Sequence, residues 1–295
     1  MLSLTLIIFS FTLAGAIPIW DPTGPYHPPP SSANHSPAFA NGTSPHPTLF
    51  FTPGAGLPAS AYTAYLSELA SYGHAVVAID HPGEAPYLPL PYGGGGVYGY
   101  PDFSAYPPTP AEARAVYAFR VAAASKPFFP SLVRLYGAPF NLTHFGVFGH
   151  SVGGAAAAGV MAAEGDVFGG DDPGVAAPDL ASVGPFLEVG SEAHFEGNAS
   201  SDATWAHFNG AQTGWVRDVQ VDGTRHLDFS DIPLWIDLLD QRGVLNRTWV
   251  GPIDGVRVTT LTTALLRELF ANAEGNGVGW SGFLGGRGTG TSFIV

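Results

Sequence analysis

Ser151 stands in Gly149-His150-Ser151-Val152-Gly153, with a glycine two residues to either side. A serine hydroxyl attacks a carbonyl carbon only when a base removes its proton, so the chemistry on offer is nucleophilic acyl transfer. The base would be a histidine, oriented by a carboxylate. After Ser151 the chain holds three histidines, His194, His207 and His226. The first carboxylates after it are Glu164, Asp166, Asp171 and Asp172. In a chain with 39 glycines among 295 residues, composition alone would produce such a pentapeptide about 0.3 times. The reading therefore depends on the elements that carry the serine.

Those elements follow from local pattern. His144 to Phe148 is a short apolar run, and Gly154 to Ala163 is rich in small residues. Together they read as strand, tight turn and helix with the serine at the turn, the arrangement called a nucleophile elbow. Thr48 to Thr52 and Ala75 to Ile79 read as buried strands. Between them, residues 58–72 read as a helix with Ala61, Tyr65, Leu66 and Leu69 on one face, closed by Gly73. Residues 84–108 read as a loop rich in Gly, Pro and Tyr, whose Tyr87, Tyr92, Tyr98 and Tyr100 are expected to line an acyl pocket. Thr109-Pro110-Ala111-Glu112 opens a helix that reaches Ala124, with Thr as N-cap and Pro at the first helical position. Further strands are expected at 185–190 and 215–221, and further helices at 202–208 and 255–272.

Strands alternating with helices specify an α/β fold, with a mostly parallel central sheet and helices on both faces. With the elbow, that fold is the α/β-hydrolase. One domain is expected over 48–274. Ligands of such sheets bind beyond the carboxyl ends of the strands. The turns after Phe51, Phe148 and Val221 are therefore expected to share one cleft.

His226 is the favoured base because it lies on the loop 223–229 just beyond the last strand. His194 falls in a polar loop and His207 on a short helix. The acid is left open among Glu164, Asp166, Asp171 and Asp172, and an ordinary solvated loop remains open for any of them. From Ser151 to Glu164 there are about 13 residues, a tight interval for a helix and a further strand. The oxyanion formed during acyl transfer needs backbone N–H donors. Val152, directly after the serine, is one, and Ala55 in the turn Pro53-Gly54-Ala55-Gly56 is the other. Asp80, His81 and His74 do not have metal-ligand spacing. No metal or other cofactor is expected.

Residues 1–16 read as a secretory leader: Leu2 to Leu13 is apolar and Ala14-Gly15-Ala16 offers small residues for cleavage. Sequons at Asn34, Asn41, Asn141, Asn198 and Asn246 agree with secretion and glycosylation. Residues 17–47 are Pro-rich and read as extended, with the turn Asp21 to Tyr26 structurally bland, and 275–295 form a Gly-rich, disordered tail. There are no cysteines, which removes thiol chemistry and disulfides. The net charge of −13, with Lys126 the only lysine, opposes binding to nucleic acid and electrostatic docking on anionic membranes. The expected partner is a neutral or zwitterionic small-molecule or lipid ester, with transient contact at a lipid interface.

Several segments taken together resemble one family. They are Thr23 to Tyr26, Leu49 to Tyr62, Gly73 to Pro82, Val147 to Gly154, Pro185 to Glu192 and His226 to Leu234, followed by Ile253-Asp254-Gly255. In this order they resemble the platelet-activating-factor acetylhydrolase-like enzymes, especially fungal secreted members. The resemblance implies a calcium-independent lipase that removes a short sn-2 acyl group from ether phospholipids. It implies Ser151 as nucleophile, His226 as base, and Ala55 and Val152 as oxyanion donors. Glu164-Gly165-Asp166-Val167-Phe168-Gly169 resembles the family's acid segment, with Glu164 in the acid's place. The family's longer stretch before the Leu49 strand, with its antiparallel strands, is replaced here by a short Pro-rich one, so N-terminal strands are expected to be missing. A lipase or polyester-type esterase of the same fold, and a non-catalytic binding protein on a degenerate scaffold, stand as the alternatives.

Overall fold

The computed structural model describes residues 6–8, 23–24, 46–89, 95–99, 109–124, 140–162, 179–181, 185–192, 194, 204–243 and 249–273. The chain divides into two compact units, Met1–Val160 and Met161–Val295.

The first unit is built on a four-stranded sheet. Its strands are β1 (Leu6–Ile8), β2 (His46–Thr52), β3 (Ala75–Ile79) and, after a hairpin, β6 (Phe140–Gly149). The spatial order is β1-β3-β2-β6. β2 runs parallel to both of its neighbours, and β1 pairs antiparallel with β3. Leu49, Phe50, Phe51, Val77, Ala78 and Ile79 are all buried, as the unbroken apolar runs of a doubly covered parallel sheet require. The crossover from β2 to β3 is a 3₁₀ turn, Ala59–Tyr62, leading into α1 (Thr63–Ser71). Leu66 and Leu69 of α1 are fully buried. α2 (Pro110–Ala124) begins as its sequence predicts. Glu112 N–H donates to Thr109 Oγ1 at 3.3 Å, and that hydroxyl bonds the Glu112 carboxylate at 2.6 Å.

The antiparallel edge strand β1 comes from within the stretch 1–16. Two expectations are corrected here. The 84–108 segment is not all loop. β4 (Tyr87–Pro89) and β5 (Gly96–Tyr98) form an antiparallel hairpin. Tyr87 and Tyr98 face each other across it with ring centroids 5.0 Å apart, the type of cross-strand pair that stabilises a hairpin without apolar alternation. Both are exposed; Tyr92 and Tyr100 lie outside the described residues. The second correction is at Thr23-Gly24, inside the segment read as bland and extended. Gly24 is buried, its N–H donating to Ser71 Oγ at 3.0 Å, and Thr23 N–H donates to Glu68 Oε2 at 2.9 Å.

The second unit carries a parallel pair, β7 (Phe186–Ser191) and β8 (Val216–Val221), in register from Phe186↔Val216 to Ser191↔Val221. Helix α4 (Thr204–Ala211) leads into β8, with Phe208 packed against Phe186 at a centroid distance of 5.0 Å. After β8 come the 3₁₀ turn His226–Phe229, α5 (Ile232–Leu238) and α6 (Gly255–Ala273). Helix α3 (Val152–Met161) spans the division between the units. The C-terminal stretch 275–295 and the region 163–178 lie outside the described residues.

Glu188 and Asp218 are register partners on β7 and β8. Glu188 is wholly buried. Burial pushes Asp218 up to about 6 from 3.8, outweighing the lowering influence of Glu188. An acid with a raised folded-state pKa binds its proton more tightly folded than unfolded, so its contribution to stability is lost as pH rises from about 4 through about 6. Asp218→Asn is therefore expected to raise the melting temperature by a few degrees at pH 8 and to leave it unchanged near pH 3.5. Thermal unfolding at the two pH values checks this.

Candidate active site

Ser151 has φ +58°. That left-handed conformation costs a non-glycine residue about 1–3 kcal/mol and persists only where the surroundings enforce it. The enforcement is visible. β6 ends at Gly149 and α3 begins at Val152, leaving His150 and Ser151 to reverse the chain. His150 N–H donates to Thr52 O at 3.3 Å, and Gly153 N–H to His150 O at 2.8 Å. Thr52 Oγ1 donates to Gly153 O at 3.2 Å. A Cβ on Gly153 would lie 2.1 Å from Thr52 O and 2.5 Å from Pro53 O; one on Gly149 would lie 2.4 Å from Gly153 O. Both glycines of the pentapeptide are thus required by contact between the elbow and the end of β2.

The register sets Thr52 opposite Gly149, so the turns after β2 and β6 leave the sheet side by side. In the first of them, Gly54 packs against the elbow: a Cβ there would be 2.7 Å from His150 Nδ1. Leu57 N–H donates to Gly54 O at 3.3 Å, and Gly56 has φ +69°. Ala55, at the tip, is half-buried. Val152 is the first residue of α3, where backbone N–H groups have no helical acceptor. The structure therefore brings Ser151, Val152 and the Ala55 turn together in the first unit. His150 packs inward. It is buried, and its Nδ1 meets the Tyr62 hydroxyl at 2.8 Å.

His226 belongs to the second unit, as the first residue of the 3₁₀ turn beyond β8. The turn is tied down on both sides. Asp228 Oδ2 accepts from Arg225 N–H at 2.6 Å and from Gly251 N–H at 2.7 Å, and Leu227 N–H donates to Trp249 O at 2.9 Å. The Trp249 ring meets the imidazole edge-on, centroids 6.3 Å apart. Gly223 N–H donates to Glu192 Oε2 at 2.9 Å, joining the end of β7 to the loop that bears His226. Burial holds His226 below the usual histidine range, and the neighbouring His194 lowers it further. His226 is therefore neutral, and able to accept a proton, at pH 7. His207 is exposed on α4. Glu164, Asp166, Asp171 and Asp172 lie outside the described residues.

Asp80 and His81, which lack metal-ligand spacing, are buried. Asp80 Oδ1 accepts from Ala59 N–H at 2.6 Å, and desolvation pushes its carboxyl up to about 6. No local pattern marks this burial, since both follow the strand directly and resemble a polar turn. Among the described residues no group of three or more His, Asp or Glu is placed to hold a metal ion.

Parallel strands joined through helices, with a serine on a left-handed strand-to-helix turn, define the α/β-hydrolase fold. Comparison with solved structures agrees. A ferulic acid esterase from Streptomyces cinnamoneus aligns at a TM-score of 0.62 and 24% identity, over 84% of this chain and 72% of that one. An S-formylglutathione hydrolase from Agrobacterium tumefaciens aligns at 15% identity and a TM-score of 0.36, over 78% of this chain and 86% of that one. The second score adds nothing to the assignment, and the first establishes the fold alone. No protein-family model and no curated protein matches the chain.

Proposed function

We propose that the chain is a secreted serine esterase acting on a short acyl ester, with an ether phospholipid as its substrate class. The observation that carries the reading is the left-handed Ser151 held on an elbow whose glycines touch the end of β2. In this reading Ser151 Oγ bonds to the ester carbonyl carbon while His226 takes the hydroxyl proton. The carbonyl oxygen becomes an oxyanion that accepts from the N–H groups of Ala55 and Val152. Collapse breaks the bond to the alcohol, which leaves with the proton from His226. Water then attacks the acyl-enzyme by the same route and frees the acid. Glu164 or Asp166 orients the imidazole.

The short-chain, phospholipid part of the proposal rests on the segments quoted above, and the −13 charge favours a neutral or zwitterionic headgroup. Trp235, Leu238 and Leu239 are exposed at helical spacing on and just after α5. They supply an apolar face for brief contact with lipid. No helix among the described residues is long and apolar enough to cross a membrane.

A fluorophosphonate probe is expected to label the wild-type chain and not Ser151→Ala, and the variant is expected to lose hydrolysis of acetyl esters. Labelling that survives the substitution would sink the assignment. Faster turnover of long-chain than of acetyl esters would favour the lipase alternative.

Because burial and His194 both depress His226, the acid limb of the kcat/KM profile is expected below pH 6.5. His194→Asn removes the charge that repels a proton from His226 and is expected to move that limb upward. A limb unmoved by the substitution would show that His194 does not act on the base.

A further inference from the structure

We propose that Arg120 is a positioning residue that aims the Ala55 N–H at the oxyanion. This rests on the serine esterase reading above. Arg120 lies on α2 and is 1% exposed, the largest of the fully buried side chains. One edge of its guanidinium pairs with Glu84: Nε donates to Oε1 at 3.2 Å and Nη2 to Oε2. The remaining donors go to the turn after β2. Nη1 donates to Pro53 O, and Nη2 to Gly54 O at 3.4 Å.

Those carbonyls matter because of what lies across each peptide plane. In a trans peptide the C=O of one residue and the N–H of the next point in opposite directions. Holding Gly54 O therefore fixes the direction of Ala55 N–H, the proposed donor. Holding Pro53 O fixes Gly54 N–H, which donates to the Tyr62 hydroxyl at 2.9 Å. That hydroxyl reaches His150 Nδ1 at 2.8 Å, one residue before the nucleophile. The Pro53–Gly54 peptide is thus gripped from both sides and linked to the elbow, and the Gly54–Ala55 peptide is held at its carbonyl.

A buried ion pair is a poor source of net stability, because desolvation offsets most of its attraction. What this one supplies is direction. A bidentate guanidinium reaches two carbonyls and a carboxylate at once, which an ammonium does not. Glu84 is brought to it by a turn in which Glu84 N–H donates to His81 O at 3.2 Å.

The test uses the full chain with two variants. Arg120→Met/Glu84→Gln removes both buried charges together, and Arg120→Lys keeps the charge without the fork. Thermal unfolding establishes that each folds; Arg120→Lys is the milder change and serves alone if the double variant does not. In both, kcat for an acetyl ester is expected to fall about 10- to 100-fold, with KM changed less than about threefold. Affinity for a boronic acid, which places an oxygen in the oxyanion position once bonded to Ser151, is expected to fall in parallel. Hydrogen exchange of the amides of 54–57 is expected to quicken. Wild-type kcat and boronate affinity in a folded variant would overturn the proposal and leave the esterase reading standing. So would a loss confined to KM. A wild-type chain without Ser151-dependent hydrolysis would overturn both.

Discussion

His226→Ala is expected to lower kcat for ester hydrolysis by a factor on the order of 10⁴ or more. Without the imidazole the serine hydroxyl keeps its proton, and the leaving alcohol has no proton donor. The oxyanion donors remain, so a residual rate above that in water is expected rather than none. The position of His226 makes the loss specific. Its turn is fixed by Asp228, Gly251 and Trp249, none of which depends on the imidazole for those bonds, so the variant should stay folded. His207→Ala is the matched control: that histidine is exposed on α4, and its loss is expected to leave kcat within about twofold. Steady-state kinetics on the two variants decide the matter. If His226→Ala retains a tenth of the wild-type rate, the base is another residue.

Gly153→Ala is expected to destabilise the protein by about 3 kcal/mol or more and to abolish labelling at Ser151. The added methyl would fall 2.1 Å from Thr52 O and 2.5 Å from Pro53 O. These are backbone atoms of a central strand and of the turn that bears Ala55. Neither can give way without opening the ladder between β2 and β6. Gly210→Ala provides the contrast. No atom lies within 4 Å of the position a Cβ would take there, and the residue sits on α4. A gain of about 0.5–1 kcal/mol is expected, because alanine loses less freedom than glycine on entering a helix. Chemical denaturation of both variants separates a steric account from a general intolerance of larger residues.

What could be read from the sequence was local. β2 and β3 were legible because burial on both faces leaves uninterrupted apolar runs, and α2 because Thr109 and Glu112 form a capping pair. The elbow was legible because strand, turn and helix are contiguous. What could not be read depends on distant partners. Arg120 looks like a solvent-facing residue of an Ala-rich helix, and its burial depends on Glu84, 36 positions earlier, and on the carbonyls of Pro53 and Gly54. The β4–β5 hairpin lies in a segment of glycine, proline and tyrosine with no apolar alternation. Its strands are joined by the Tyr87–Tyr98 pair, and Leu88 is buried. Thr23 meets Glu68 across 45 residues. The acid expected to orient His226 was left open because the interval after Ser151 is short and its acids are closely spaced.

The docking of Thr23-Gly24 onto α1 sets a limit on how far the amino terminus can be trimmed. A proteolytic cut or a cloning boundary placed after Gly24 would take two donors from Glu68 and one from Ser71, both buried on the helix that bridges β2 and β3. Maturation upstream of Thr23 leaves that clasp intact. Shortened versions of the chain intended for expression should therefore begin before it.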